Sequence, residues 1–278
     1  MTTLTTVQRA KRLPGWVLLL GWTLLVLLPL YILLVSCFKT TAQIYAHPLG
    51  LPSSWTLANF KHAWLEANFE HYLLNSLVIT AGAVLATIVV CALAAYPLSR
   101  YRLWWANWML GLFLVGIMVP VRLASVDMFN LLKTFNLLDS RIGLVIVFTA
   151  IRIPFAMLIF ANFMRAIPRE LEEAARMDGA AEWRVLFNVI LPQMRPAVGV
   201  VAVFTGIAVW NDFYFPLLFT FDESKKTLPL GIAGFIGQYH TDWGMLFAGL
   251  AMSMVPLLFL YLVASRQVQQ AMGAGAVR

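Results

Sequence analysis

The longest polar connection in this otherwise apolar chain is residues 170–180, ELEEAARMDGA, and a Leu-Pro pair at 191–192 closes the segment that follows. Pro168 suits the first turn of a helix, and the acidic residues after it complement the positive end of the helix dipole. Gly179 predicts the end of that helix, because glycine readily adopts the left-handed conformation found after a last helical turn. The segment therefore predicts a helix, a turn, and a second short helix over residues 180–189 that the proline ends.

The first predicted helix has two different faces. Spacings of i, i+3, i+4 and i+7 place one set on a common face: Leu171, Ala174, Ala175 and Asp178. Glu172 and Arg176 are four residues apart and predict a favourable pair elsewhere on the helix. Small alanine side chains would let another protein approach closely, and an ordinary solvated surface hairpin is the alternative interpretation.

The composition is that of a membrane protein. Hydrophobic residues make up 61% of the 278, charged residues only 12%, and the mean hydropathy is +0.79. A soluble domain carries about twice that share of charge. Cys37 and Cys91 fall at the end of one apolar run and inside another, so neither a disulfide nor a metal site is predicted.

Six runs are apolar enough and near the ~20 residues that a helix needs to cross a bilayer. They cover residues 13–38, 72–99, 103–121, 142–164, 196–220 and 243–265. Only helices or closed barrels satisfy the backbone in lipid, and six helices is the economical interpretation. We therefore predict an all-α membrane protein with six transmembrane helices in residues 13–265, an N-terminal tail over 1–12 and a C-terminal tail over 266–278.

The distribution of positive charge predicts the orientation. Most Lys and Arg residues fall on one set of connections, which the positive-inside rule places in the cytoplasm: residues 1–12, 100–102, 165–195 and 266–278. The other set is then external: residues 39–70, 122–141, which predict a short helix along the outer surface, and 221–242. Both termini should be cytoplasmic. The net charge of +7 is then a sign of topology, and no nucleic-acid surface is predicted.

Several expected signatures of enzymes are missing from the sequence. No glycine-rich phosphate loop with its lysine occurs, so the chain alone should not hydrolyse ATP. The four histidines lack the spacing of metal ligands, and no Ser/His/Asp set can be placed in one pocket. We expect no catalytic residue, no bound metal and no cofactor on this chain.

Two charged residues fall inside predicted spans. An arginine at the centre of a span costs about 2.5–3.5 kcal/mol, so Arg152 needs a partner or water. Asp212, next to Asn211, is a candidate partner. Either the three residues line a polar pathway and touch solute, or Arg152 forms a buried pair that holds helices together; we favour the structural interpretation for Arg152.

The polar connection carries a recognisable motif. Glu173-Ala174-Ala175, three residues, Gly179, nine residues, Val189, one residue and Leu191-Pro192 resemble the cytoplasmic EAA loop of permease subunits of ATP-binding-cassette importers. Isoleucine is more usual than Val189. The resemblance implies a type I permease fold in which residues 166–195 hold a coupling helix that sits in a cleft of an ATPase subunit. The implied ATPase-coupling residues are Glu172, Glu173, Ala174, Ala175, Asp178, Gly179, Leu191 and Pro192.

The resemblance extends to the carbohydrate-uptake branch of this family, specifically to the maltose-type second permease. It rests on Asn75-Ser76-Leu77, Ala94-Ala95-Tyr96 with Arg100, Trp210-Asn211-Asp212-Phe213, Thr227-Leu228-Pro229, Asp242-Trp243-Gly244 and the tail 273–278. It implies a bacterial-type inner membrane, lipid around the spans, a second permease, two ATPase subunits that hydrolyse the ATP, and an external solute-binding protein. Residues 227–242 would touch the binding protein, and the tail would reach the ATPases.

Two alternatives to a sugar importer stay open. Solutes of the glycerol-phosphate type are the near alternative. A self-sufficient secondary transporter or channel, with Arg152 and Asp212 as its ion-coupling groups, is the more distant one, and the internal repeats typical of that class are not found.

Overall fold

The computed structural model of the chain describes the backbone of residues 6–237 and 241–275 and the side chains of residues 15–237 and 241–262. Side chains of both predicted tails and part of the predicted external loop, residues 238–240, lie outside that description. The helices are α1 (Thr6–Ser36), α2 (Thr41–Ala46), α3 (Ala58–Leu65), α4 (Phe69–Arg100), α5 (Ala106–Met118), α6 (Ser125–Thr134), α7 (Arg141–Ala166), α8 (Glu170–Met177), α9 (Glu182–Arg184), α10 (Leu191–Gln193), α11 (Arg195–Trp210), α12 (Tyr214–Phe219), α13 (Leu228–Ala233) and α14 (Trp243–Gly275).

Four of these helices are long and apolar enough to cross a membrane within the described residues, and two bent helix pairs raise the number to six. The four are in α1, α4, α7 and α14. The third predicted span, residues 103–121, is shorter than expected, because α5 has 13 residues and a length of about 20 Å. It completes a span only together with residues 121–134, which bend away by 87°. That second arm contains α6, the short helix predicted for residues 122–141.

The fifth predicted span, residues 196–220, is broken. The helix α11 ends at Trp210, and α12 begins at Tyr214. At the break, Oδ1 of Asp212 accepts a hydrogen bond of 2.9 Å from the Phe215 N–H and so satisfies one of the free donors at the start of α12. The short polar side chain that looked like an intramembrane charge is therefore also a helix cap.

The second helix of the polar connection is longer than predicted. It continues from Glu182 through a π-helical stretch, Val185–Ile190, into α10, and the chain bends by 73° only before α11. Pro192 lies within this run and does not end it. The Leu191 N–H donates to the Leu186 carbonyl, five residues back, which is the hydrogen bond of a widened, π-helical turn. This turn lies directly before Pro192, whose ring lacks an N–H donor.

The chain divides into two compact units. The first contains residues up to 69 and residues 232–253. Asn59 Nδ2 donates at 2.8 Å to the carbonyls of both Cys37 and Lys39, and the buried Lys39 Nζ donates to the carbonyls of His47 and Pro48. These bonds hold the end of α1 against the loop that follows it.

The second unit, residues 70–231 and from 254 onward, contains the polar connection. Its larger core joins α4, α5, α7, α11 and the π-helical stretch through buried side chains that include Cys91, Met157, Phe160, Ile190 and Met194. A smaller core, around Phe148, Phe215 and Phe219, packs α7 against α12. The end of the polar connection thus packs in the same core as the predicted spans.

The first turns of α4 are bound to the segment before α13. Asn75 Nδ2 donates at 2.8 Å to the carbonyls of both Ser224 and Lys226, and Ser76 Oγ accepts from the Leu228 N–H at 2.8 Å. Gly231 lies so close to the Tyr72 ring that a Cβ atom there would be 2.1 Å from it. Only glycine allows this approach.

We expect Gly231→Ala to lower the thermal denaturation midpoint of the purified chain clearly, because overpacking a close contact costs about 1–3 kcal/mol. Gly111→Ala in α5, where nothing lies within 4 Å of an added Cβ, is the matched control and should leave the midpoint unchanged. Equal midpoints for the two variants in detergent would contradict the close approach.

Candidate functional site

The predicted EAA-type connection forms a short, capped helix. The helix α8 begins at Glu170, where three acidic residues occupy the first turn, and ends at Met177; the N–H of the capping residue Asp178 donates to the carbonyls of Ala174 and Arg176. Gly179 follows with φ +79°, the left-handed conformation that its sequence position predicted. The start and end of this helix are therefore local properties of the sequence.

The two faces of α8 have different surroundings. Glu172 is buried, with 2% of its surface exposed, and Ala175 packs on the larger core. Glu173 and Ala174 are exposed, and Met177 is 87% exposed. The exposed face of α8 therefore combines the carboxylate of Glu173, the small side chain of Ala174 and the flexible apolar side chain of Met177.

A buried ion pair holds the inner face of α8. Arg100 Nε, at the last residue of α4, lies 2.5 Å from Glu172 Oε1, and each side chain is only 3% exposed. Arg100 Nη1 also donates to the Ile167 carbonyl at 3.1 Å. With little water to screen them, the two charges attract strongly and tie the end of α4 to α8.

A second, half-exposed cluster lies beside this pair. Arg176 Nε donates to Glu182 Oε1 at 2.8 Å, and the Tyr96 and Tyr101 hydroxyls donate to Glu182 Oε2 at 2.8 Å and 3.1 Å. Arg176 Nη2 also reaches Glu172, the predicted i,i+4 partner, at 3.3 Å. The hydrogen bond from Arg176 chiefly lowers the pKa of Glu182 to about 2, and the same bond raises the pKa of Arg176.

Sequence reasoning missed three members of these clusters: Arg100, Tyr96 and Glu182. Arg100 and Tyr96 carried part of the family resemblance, and Arg100 also marked a cytoplasmic connection, but neither was assigned a partner. A usable signal existed, because Tyr96 and Arg100 are four residues apart and so share one face of the last turn of α4. The sequence offered no means of finding their partner on α8, which is more than 70 positions away.

The two residues of the closing Leu-Pro pair, Leu191 and Pro192, have different surroundings. Leu191 is partly buried against the larger core, whereas Pro192 is exposed. The two residues lie on the run that connects α8 to α11.

The three polar residues predicted inside spans are not joined in one cluster. Asn211 Nδ2 donates to the Ile207 carbonyl at 2.8 Å and closes the end of α11, while Asp212 caps α12. Asp212 acts electrostatically on Arg152, but the ion pairs formed by the described side chains do not include one between them. Arg152 instead lines a cavity between α7 and α11.

Among the described residues, no group of three or more His, Cys, Asp or Glu side chains could hold a metal ion. His240 lies outside the described residues.

The arrangement of helices is that of a type I importer permease. One chain of the crystal structure of a bacterial ABC transporter involved in the import of the acidic polysaccharide alginate matches with a TM-score of 0.85, covering 96% of this chain and 99% of that chain at 20% identity. The expected fold class, an all-α membrane protein with this permease fold, is confirmed.

The family follows from the sequence comparison. Residues 87–272 match the model of the binding-protein-dependent transport system inner membrane component, and the chain belongs to this family. It is a multi-pass protein of the inner membrane.

Two relatives illustrate the branch to which the chain is similar. The diacetylchitobiose uptake system permease protein of Streptomyces coelicolor is 35% identical over 263 residues, which cover 94% of this chain and 87% of that protein. The probable starch degradation products transport system permease protein of Thermoanaerobacterium thermosulfurigenes is 31% identical over 95% of this chain and 94% of its own length.

We expect Glu172→Ala to destabilise the chain by about 3–5 kcal/mol, because it leaves the buried Arg100 charge without its partner. Glu170→Ala, an exposed acid on the same helix, is the matched control. The double variant Arg100→Met with Glu172→Met should recover most of the loss, since two apolar side chains replace the pair. Thermal denaturation of the detergent-purified variants measures this, and a double variant as unstable as the single one would contradict the ion-pair explanation.

Proposed function

We propose that this chain is the permease subunit of an ATP-driven, binding-protein-dependent sugar importer, and that it forms half of the translocation pathway. The observation that carries the proposal is the outward face of α8, anchored from beneath by Glu172. The solutes for which the two relatives are named, diacetylchitobiose and starch degradation products, support a sugar as the solute.

The partners follow from this role. A second permease supplies the other half of the pathway, two ATPase subunits bind and hydrolyse ATP, and an external binding protein delivers the sugar. The chain itself has no catalytic residue and binds no cofactor. In this role residues 1–12, 166–195 and 266–278 lie in the cytoplasm and residues 227–242 on the outside, an orientation that the excess of positive charge supports.

The coupling helix transmits the motion. Glu173 and Ala174 face the ATPase cleft, where the small side chain allows close contact and the carboxylate meets a cation. Gly179 turns the chain sharply beneath that contact. Leu191 and Pro192 then carry the connection back into the span formed by α11, so movement of the cleft reaches both α4 and α11.

The cycle is alternating access. ATP binding closes the ATPase pair, and each coupling helix moves with its cleft. The spans then rock so that a polar cavity near the bilayer middle, reached by Arg152, Asn211 and Asp212, opens outward to the loaded binding protein. Hydrolysis resets the cavity inward and releases the sugar.

We expect Glu173→Lys and Gly179→Pro to leave the chain inserted and assembled but to uncouple ATP hydrolysis from uptake. The first variant reverses the exposed charge on α8, and the second forbids the positive φ of the turn. Glu66→Lys, a 71% exposed acid on the opposite predicted side of the membrane, is the matched control. ATPase activity and sugar uptake are measured together in proteoliposomes, and unchanged coupling in both α8 variants would contradict the assignment.

Affinity purification of the tagged chain from its native membranes tests the whole proposal. Recovery of an ATPase with a phosphate loop, a second permease and a binding protein is expected, and the binding protein can then be screened against sugars and glycerol phosphates. A chain that purifies alone and moves solute under an ion gradient would instead be a secondary transporter.

A further inference from the structure

A cavity of about 330 Å³ lies between α7 and α11. Its lining residues are Arg152, Phe155, Phe204, Ile207 and Ala208. The volume is at the lower end of the range for small-molecule sites, about 300–1,000 Å³, so the space suits a single small ring better than a long polymer.

Arg152 is the polar group of this cavity. Its Nε is buried and has no hydrogen-bond partner among the described residues, although a buried unsatisfied donor of a charged group is costly. Asp212 acts on it only electrostatically. The guanidinium therefore retains a donor for an acceptor that the described residues do not supply.

Two aromatic rings stand beside the arginine. The Phe155 and Phe204 ring centroids are 5.8 Å apart, and the rings are inclined at 47° to each other. Phe204 is 55% exposed, so its ring is available to a neighbour. A sugar ring has apolar C–H faces and a rim of hydroxyl groups, and it matches a site with aromatic rings on one side and a rigid fork of N–H donors on the other.

The face of α7 and α11 that bears Arg152 and Phe204 is unsuited to contact with lipid. An arginine directed at hydrocarbon in mid-span costs about 2.5–3.5 kcal/mol, and arginines in spans almost always face the interior of an assembly or a water-filled path. The face that bears Arg152 and Phe204 therefore belongs to the side of α7 and α11 turned away from lipid.

We propose that the cavity lined by Arg152, Phe155 and Phe204 is a solute subsite that holds one sugar ring during translocation. Arg152 donates to hydroxyl oxygens of the ring, and the two phenylalanines stack against its C–H faces. The inference rests on the proposed function, because it assumes that the chain lines a sugar pathway.

The test uses the complete importer, with its binding protein, in proteoliposomes. The probes are radiolabelled diacetylchitobiose and maltose, whichever the wild-type importer accumulates. Arg152→Gln and Phe204→Leu should each lower the uptake rate about tenfold, the equivalent of one lost charged hydrogen bond or ring contact, while binding-protein-stimulated ATP hydrolysis stays within about twofold. Phe259→Leu, which removes an exposed phenylalanine of α14 away from this cavity, should change neither rate.

Each contrary result identifies a different failure. Parallel losses of complex recovery, ATP hydrolysis and uptake in Arg152→Gln, with Phe204→Leu unaffected, would mean that Arg152 pairs with a carboxylate of the partner permease, and would overturn the subsite. Unchanged uptake in both variants would also overturn it. A wild-type importer that accumulates neither probe, and whose binding protein binds no sugar in the screen described above, would contradict the sugar assignment of the proposed function and overturn the subsite with it.

A labelling experiment supplies a readout that a structural role would not move. In Phe204→Cys, a membrane-impermeant thiosulfonate should react with the new thiol, and the transported sugar should slow that reaction. The two native cysteines, Cys37 and Cys91, are buried and contribute little background. A thiol that reacts only with lipid-soluble reagents, or equally fast with and without sugar, would overturn the proposal.

Discussion

The ion pair between Arg100 and Glu172 is the contact on which the arrangement of the polar connection, residues 170–180, depends. It buries two full charges, which is costly unless both are matched, so α8 has one stable rotation about its own axis. Because successive helical residues are about 100° apart, drawing Glu172 inward turns Glu173 and Ala174 outward. The same pair ties α8 to the last residue of α4. A force applied to α8 is therefore transmitted directly to the 32-residue helix α4.

The second constraint is the membrane itself, which tolerates irregular backbone only where protein or water satisfies it. The break between α11 and α12 meets this requirement locally: Asn211 bonds to the Ile207 carbonyl, and Asp212 accepts from the Phe215 N–H. A broken span of this kind places polar groups at membrane depth without a full buried charge pair. The break also lies near the cavity that Arg152 lines, because Ile207, whose carbonyl bonds to Asn211, is one of the lining residues.

Local features of the polar connection were predictable residue by residue. Acids in the first turn, Gly179 after the last one, and the Glu172 to Arg176 spacing all act within a few positions of each other, and each was found as expected. The extent of the next helix was not predictable, because core packing of Val185, Leu186 and Ile190 stabilises a π-helical stretch that continues into α10, past Pro192. Propensity alone would have ended the helix there.

By itself the sequence determined the class of the protein: its long apolar runs predict membrane helices, and the spacing from Glu173 to Pro192 resembles that of the EAA loop of importer permeases. Tertiary structure alone decided which side of α8 faces outward, that Arg100 is its anchor, and that Arg152 lines a cavity instead of pairing with Asp212. The physical reason is how far along the chain each kind of interaction acts. Hydrophobicity and helix caps act over one or two turns, whereas these contacts join residues on different helices, and their geometry exists only once the helices pack.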